Sequence, residues 1–373
     1  MSSRGRLFYH RDPYDLAGTD ALFLEALREN CAFHYARCPE YRAILEDAAF
    51  TPDDLRTMDD LVRLPVLPTA LFKGHTLFSL PRWRMPVIAT SSGTKGQFSQ
   101  VGYEVSGLLC ALGMALRMGH LHHLFSPVPV HYVMLGYKPH RGNRTAVTKT
   151  AMGTTFMAPA LSRTFALKYG PKGYAPDLEG IIRALEKHSR SPFPVRMVGF
   201  PSYTYFVLKE MAGQGIRLKA KPDSRIMLGG GWKQFYTQQV DKQILYDLAG
   251  QVLSIPEDHI TEFFGAVEHP ILYCDCPHHH FHVPIYARVI IRDVNTLEPV
   301  PNGTVGLVNL LTPLIKSNPI LSVMTDDLGV LHDGAECGCG CTAPYLELIG
   351  RVGLKNIKTC AAGAAELLSG VKL

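Results

Sequence analysis

The chain has 373 residues, 46% of them hydrophobic and 19% charged, with a net charge of +5. This is the profile of a globular protein with a large core and two or three structural units. Its lysines and arginines are scattered, the densest run being PHRGNR at Pro139–Arg144, so nucleic-acid binding is not indicated. No apolar run reaches the roughly 20 residues of a membrane-spanning helix. The opening MSSRGRLFYHRDPYDL lacks the apolar segment of a secretion signal, so a cytoplasmic protein with reduced thiols is expected.

In chain order, TDALFLEALRENCAFHYARC from about Thr19 to Cys38 places apolar residues at helical spacing behind a capping Thr or Asp. TMDDLVRLPVLPTALFKG reads as a short helix and a proline-punctuated connector. MPVIA is apolar enough for a strand and runs into TSSGTKGQFSQ (Thr90–Gln100), after which Glu104–Met118 is amphipathic and helical. Val128–Tyr137 and Val195–Gly199 read as buried strands, the second followed through Pro201 by a helix ending near Gly213–Gly215. SRIMLGGGW is a further strand running into a glycine turn. Strands alternating with helices predict an α/β layer with a largely parallel sheet. Beyond about Pro270 the pattern changes to period two with an Asn302-Gly303 turn, which predicts hairpins and a small β subdomain. The expected segments are an α/β region over residues 1–269, the β subdomain over 270–351, and a tail over 352–373.

TSSGTKGQFSQ is not a Walker A loop, because Gly96 is followed by Gln97 rather than by Lys-Ser or Lys-Thr. Nor does it fit the dinucleotide fingerprint. Backbone N–H groups, hydroxyls and glycines of such a loop suit phosphate oxygens, and an ordinary polar turn explains the same composition. The nine cysteines are uneven: Cys31, Cys38 and Cys110 are isolated, CDCPHHHFH and ECGCGC hold five, and Cys360 lies near the end. Thiolates and imidazoles from two loops suit tetrahedral zinc, with redox cysteines as the other reading. Cys360 directly precedes AAGAAELL, a short helix former, with Lys355 and Lys358 nearby. A helix N-terminus and two cations both favour a thiolate there.

Several motifs in order resemble those of the adenylate-forming enzymes, which join carboxylic acids to AMP. SSGTKG resembles their phosphate loop, LGGGW (Leu228–Trp232) their adenine turn, and FFGAVE (Phe263–Glu268) the segment whose Glu helps hold magnesium. MTDDLG resembles the ribose motif, with Asp327 in register and Asp326 in place of the usual Gly, and IGRVG (Ile349–Gly353) the Gly-Arg segment before the hinge to a C-terminal domain. LVRLPVLPTALFKG is similar to the N-terminal region of the phenylacetate-CoA ligase branch. The chain stops soon after Arg351, where typical members continue into a domain carrying a lysine that contacts the carboxylate. It resembles over essentially its whole length the shortened acyl-protein synthetases of the LuxE type.

That resemblance implies the N-terminal domain of an adenylate-forming enzyme, of layered α/β structure with mostly parallel sheets, plus a small β subdomain, the C-terminal domain being missing. It implies ATP, Mg²⁺ and a carboxylic acid, most simply a fatty acid, with an acyl reductase as partner. Ser91, Ser92, Gly93, Thr94, Lys95 and Gly96 would hold phosphates, Gly229, Gly230 and Gly231 the adenine, Asp327 the ribose, and Arg351 the phosphate–ribose end. Glu268 would bind Mg²⁺, and Lys233 would offset the charge that the missing lysine handles. Cys360 matches the cysteine that accepts the acyl group. Some phenylacetate-ligase relatives carry a zinc site spaced Cys-x5-His…Cys-x-Cys-Gly, which Cys276, His282, Cys337 and Cys339 fit, with Cys274 and Cys341 as spare candidates. Four protein ligands leave no open position, so this zinc would be structural. FPSYTYF (Phe200–Phe206) is the candidate acyl wall. A CoA ligase of the phenylacetate type and an inactive zinc-stabilised scaffold are the alternatives.

Overall fold

The computed structural model describes residues 1–91, 98–143, 145–171, 173–232, 235 and 238–351. Two compact units emerge: Met1–Met118 together with the chain from Gly265 on, and Gly119–Phe264. They divide the chain by packing, whereas the three expected segments divide it by sequence texture.

The chain enters the first unit through α1 (Ser3–Phe8), α2 (Leu16–Arg37) and α3 (Pro39–Asp47). Helix α2 begins where Asp15 accepts from the Gly18 N–H at 2.9 Å. It buries Phe23, Ala26, Leu27, Asn30, Cys31 and His34 on one face, the spacing expected from the sequence. The two-residue strand β1 (Leu67–Pro68) and α4 (Thr69–Gly74) form the connector. Strands β2 (Val87–Thr90) and β3 (Gln100–Tyr103) then make an antiparallel hairpin in which Thr90 faces Gln100. Helix α5 (Val105–Leu121) follows and carries the chain to the second unit.

The second unit contains β4 (Val130–Tyr137), α6 (Ala146–Thr154), β5 (Ala160–Gly170), β6 (Gly173–Pro176), α7 (Leu178–Ser189), β7 (Val195–Gly199), α8 (Pro201–Gly213), β8 (Arg225–Gly229), α9 (Lys242–Leu253) and β9 (Ile260–Phe264). Its strands lie in the order β9-β8-β7-β4-β5-β6. All neighbours are parallel except β5 and β6. Period two sends Val133, Leu135, Met197, Ile226 and Leu228 to one face, against Ile181, Leu185, Val207, Met211 and Leu245 of the helices. Tyr132, Met134, Val198 and Met227 go to the other, with Leu124 and Ala158. Both faces are covered, as a parallel sheet requires.

Back in the first unit come β10 (Tyr273–Cys274), β11 (Phe281–His282), β12 (Arg288–Arg292), β13 (Gly306–Leu311), β14 (Ser322–His332) and β15 (Tyr345–Arg351). The sheet runs β11-β15-β14-β13-β12. The expected hairpins are present as β12–β13 and β13–β14. All six residues of β13 are buried, however, so the alternating pattern does not mark an exposed face there. The edge of β14 away from β13 changes partner: Val323 and Met324 pair with β1, and Asp327–His332 pair with β15.

Candidate active site and metal centre

In the first unit, hairpin β2–β3 is paired as far as Thr90 and Gln100. Ser91 closes the mouth, its N–H donating to the Ser99 carbonyl at 3.1 Å and its Oγ accepting from the Ser99 N–H at 2.9 Å. Ser92, Gly93, Thr94, Lys95 and Gly96 lie outside the described residues. Glu268 stands in a tight turn in which Ala266 and His269 exchange both backbone hydrogen bonds at 3.2 Å. Its side chain is buried. Gly265 has no room for a side chain, since a Cβ would lie 2.7 Å from the Ile271 carbonyl oxygen. Burial first, and then the charge of Glu268, raise the pKa of Tyr103 at the end of β3, so the glutamate and the hairpin share one neighbourhood.

Asp327 and Arg351 are backbone register partners in β14 and β15. The acid beside Asp327 is tied elsewhere: Asp326 accepts from Thr69 Oγ1 at 3.3 Å and pairs with Lys73 Nζ at 3.6 Å. Both partners belong to α4, so the residue that replaces the usual glycine holds the connector helix to β14.

The second unit carries the Gly229–Gly231 turn at the carboxyl end of β8, where open parallel sheets bind ligands. Gly230 (φ +81°) and Gly231 (φ +67°) are left-handed, and a Cβ on Gly230 would stand 2.9 Å from the Phe200 ring, so glycine is required there. Lys233 lies outside the described residues. At the same edge of the sheet, a cavity of about 470 Å³ is lined by Tyr137, Leu167, Tyr174, Pro176, Leu178, Tyr203, Phe206 and Phe235. Tyr203 and Phe206 come from the aromatic stretch singled out in the sequence. Tyr137, Tyr174 and Phe235 were not anticipated, since the first ends β4, the second lies in β6 and the third follows β8, and only the fold gathers them.

The four expected metal ligands converge. The Sγ atoms of Cys276 and Cys337 are 3.5 Å apart, and Cys339 Sγ is 3.2 Å from His282 Nε2. All four ligand atoms lie within 4.8 Å of one another. Ligands of a tetrahedral zinc stand about 3.5 Å apart given its bond lengths, so the set fits this ion. His282 Nδ1 donates to the Ala343 carbonyl at 2.6 Å, which leaves Nε2 as the free lone pair. Gly338 (φ +74°) and Gly340 (φ +89°) curl the ECGCGC loop around the cluster. The spare candidates Cys274 and Cys341 are outside the four-atom group. The histidine run supports the site: His280 Nδ1 meets Cys337 Sγ at 3.1 Å, His278 Nδ1 meets the Cys337 carbonyl at 2.5 Å, and His279 Nδ1 meets Asp275 at 2.8 Å. Cys360 lies outside the described residues.

Polar residues that sequence reading passed over hold this unit together. Glu104, just before α5, accepts from Arg4 Nη1 at 2.8 Å and from the Lys316 N–H at 3.1 Å. Only spatial contact identifies such a pair, which is 100 residues apart in sequence.

The family model for "Acyl-protein synthetase, LuxE" matches residues 3–369. A long-chain-fatty-acid–luciferin-component ligase of Aliivibrio fischeri is 25% identical over 350 residues, 92% of this chain and 87% of that protein. A phenylacetate-coenzyme A ligase of Thermus thermophilus is 25% identical over 333 residues, 86% of this chain and 67% of that protein. Among solved structures, a 2-hydroxyisobutyryl-CoA ligase in an open conformation with its acyl-AMP and CoA superposes with a TM-score of 0.69 at 17% identity. That match covers 91% of this chain and 76% of the other and shows the fold. The chain therefore belongs to the LuxE family of acyl-protein synthetases, AMP-forming acid–thiol ligases built on the adenylate-forming fold.

Proposed function

We propose that this ligase activates a long-chain fatty acid as acyl-AMP and passes the acyl group to its own Cys360, for delivery to an acyl reductase. The apolar, aromatic-lined cavity at the carboxyl edge of the parallel sheet is the observation that carries the substrate class. Its volume and lining suit an alkyl chain rather than a charged or heavily hydroxylated acid. The ligase of Aliivibrio fischeri, named for long-chain fatty acids, supports the same reading.

The acid's carboxylate attacks the α-phosphorus of ATP, the acyl–O–P bond forms, and pyrophosphate leaves. Positioning and charge neutralisation are the enzyme's tasks here. Ser91, Ser92, Gly93, Thr94, Lys95 and Gly96 hold the β- and γ-phosphates, and Gly229, Gly230 and Gly231 border the adenine. Asp327 accepts from the ribose hydroxyls, and Arg351 neutralises the phosphate end. Lys233 balances charge near the reacting carboxylate. Glu268 is the magnesium ligand, and magnesium supplies charge neutralisation on the phosphate oxygens. The Cys360 thiolate then attacks the acyl carbon, forms the thioester and releases AMP.

Cys276, His282, Cys337 and Cys339 hold a structural zinc. Burial pushes the Cys337 thiol up to about 12 and raises that of Cys276, and coordination to a cation deprotonates such thiols outright. The zinc would anchor the start of β15, the strand that ends at Arg351.

Intact mass after incubation with ATP, Mg²⁺ and saturated fatty acids tests the proposal. A thioester-sized gain that disappears in Cys360→Ala is the expected result. Pyrophosphate release that requires CoA, with no protein adduct, would instead establish the CoA-ligase reading that the phenylacetate-CoA ligase relatives favour.

A further inference from the structure

We infer that Asn318 and Ser317 are positioning residues for nucleotide, acting through the hairpin that presents Ser91. This inference rests on the proposed ATP-dependent activation and adds two residues to it. Hairpin β2–β3 is an isolated two-stranded sheet. One edge of β3 is paired with β2, and the other would leave backbone groups of Gln100 and Gly102 without strand partners. Two adjacent side chains from the segment between β13 and β14 supply what a third strand would. The Gly102 N–H donates to Asn318 Oδ1 at 2.8 Å, and Asn318 Nδ2 donates to the Gln100 carbonyl at 3.3 Å. Ser317 Oγ donates to the Gly102 carbonyl.

The same pair grips the chain on its far side. Asn318 Nδ2 also donates to the Leu77 carbonyl at 2.7 Å, and the Ser79 N–H donates to the Ser317 carbonyl at 2.8 Å. Ser79 is fixed in turn by His34 of α2, Oγ to Nδ1 at 2.7 Å. Asn318 and Ser317 are both fully buried, so water cannot take their place. Their partners lie more than two hundred residues away in sequence, 216 for the Gly102 contact and 241 for the Leu77 contact. The amide thus converts a free hairpin into a braced one, and sets the height at which Ser91 stands in the unit that also carries Glu268 and Asp327. Residues that hold a binding loop without touching ligand act on the bound geometry.

Asn318→Asp keeps the size and the acceptor for Gly102 but turns a carboxylate oxygen toward the Leu77 and Gln100 carbonyls. The expected result in an ATP–pyrophosphate exchange assay with a saturated fatty acid is a KM for ATP raised by about tenfold to a hundredfold. The KM for the acid changes less than about twofold, the signature of a lost nucleotide contact and not of general damage. Ser317→Ala should shift KM for ATP in the same direction by a smaller factor, and it decides the matter if the aspartate variant does not fold. Asn309→Asp is the control: Asn309 is also fully buried, and its Nδ2 donates to the Val323 carbonyl at 3.3 Å, outside the hairpin. Its Oδ1 accepts from Arg292 Nε at 3.0 Å, so an aspartate there keeps a charged partner, and KM for ATP should not change. An unchanged KM for ATP in folded Asn318→Asp and Ser317→Ala, or an equal rise in Asn309→Asp, overturns the inference. Wild-type protein that catalyses no exchange would instead sink the proposed activity. Equilibrium ATP binding to wild type and Asn318→Asp would then still test the brace, with equal affinities refuting it.

Discussion

Replacing Leu178 with tryptophan tests the aromatic cavity directly. Leu178 opens α7 and stands half-buried at the cavity wall, so the indole intrudes on the space without burying a charge or breaking a backbone bond. At the packing density of an interior, the extra ring atoms displace about two methylenes of a bound chain. Each methylene kept from burial forfeits about 0.8 kcal/mol, which is about fourfold in a rate constant. Acids that fill the wild-type cavity of about 470 Å³ should therefore lose about fifteenfold in kcat/KM. Acids about two carbons shorter should lose little. ATP–pyrophosphate exchange across straight-chain saturated acids gives the profile of kcat/KM against length, and its maximum should move to shorter chains. Phe206→Ala should move it the other way. A folded Leu178→Trp protein with an unchanged length profile would show that the acyl chain does not occupy this cavity.

Glu104→Gln leaves the Arg4 guanidinium, whose side chain is 4% exposed, without its counter-charge. The expected loss is about 3–5 kcal/mol, seen as a fall of roughly 4–6 °C in the melting midpoint of a chain of this length. A fall of only a degree or two would mean the pair behaves like a surface ion pair. Elemental analysis should find one zinc per chain, and Cys276→Ser should abolish it and lower the midpoint. Protein that is metal-free as isolated, and indifferent to a chelator, contradicts the zinc site. The stacked rings of His131 and His188, with centroids 4.0 Å apart, make stability fall in acid. Burial lowers His131, and burial followed by the charge of His131 lowers His188 to about 4. The unfolded chain thus takes up more protons between about pH 6.5 and pH 4. Stability is full above that window and declines as pH drops through it. His188→Asn should flatten this part of a stability–pH curve, and an unaltered acid limb would rule the pair out as its cause.

The elements most legible in the sequence are those whose periodicity and punctuation agree. Val195–Gly199 followed by Pro201 became β7 and α8 with the anticipated bounds, because a run that is apolar but for Arg196 and an N1 proline leave few alternatives. The convergence of Cys276, His282, Cys337 and Cys339 was legible too, through the Cys-x5-His…Cys-x-Cys-Gly spacing that the chain shares with phenylacetate-ligase relatives. Asn318 gave no such signal: one asparagine in an irregular segment is ordinary, and its value comes from backbone groups elsewhere in the chain. Strands β5 and β6 were also missed. Arg163 and Lys168 interrupt their apolar pattern, because β5 exposes much of its length. Tyr137, Tyr174 and Phe235 lie on separate elements, so no local window shows that they line one cavity.

The first unit draws its chain from both sides of the second, and this orders its biosynthesis. Gly119–Phe264 has its complete core once its own residues have been made. The N-terminal 118 residues have to wait. Arg4 donates to the Leu314 carbonyl, 310 residues downstream, and Asn30 to the Pro313 carbonyl, 283 residues downstream, while β1 pairs with Val323 and Met324. At ribosomal speeds of about 5–20 residues per second, the partner of Arg4 is synthesised about 15–60 s after Arg4 itself. During that interval the buried face of α2, from Phe23 to His34, has no complete sheet to cover it. The unit of residues 119–264 is thus able to mature during translation, whereas the two-part unit closes only once its later residues have been made.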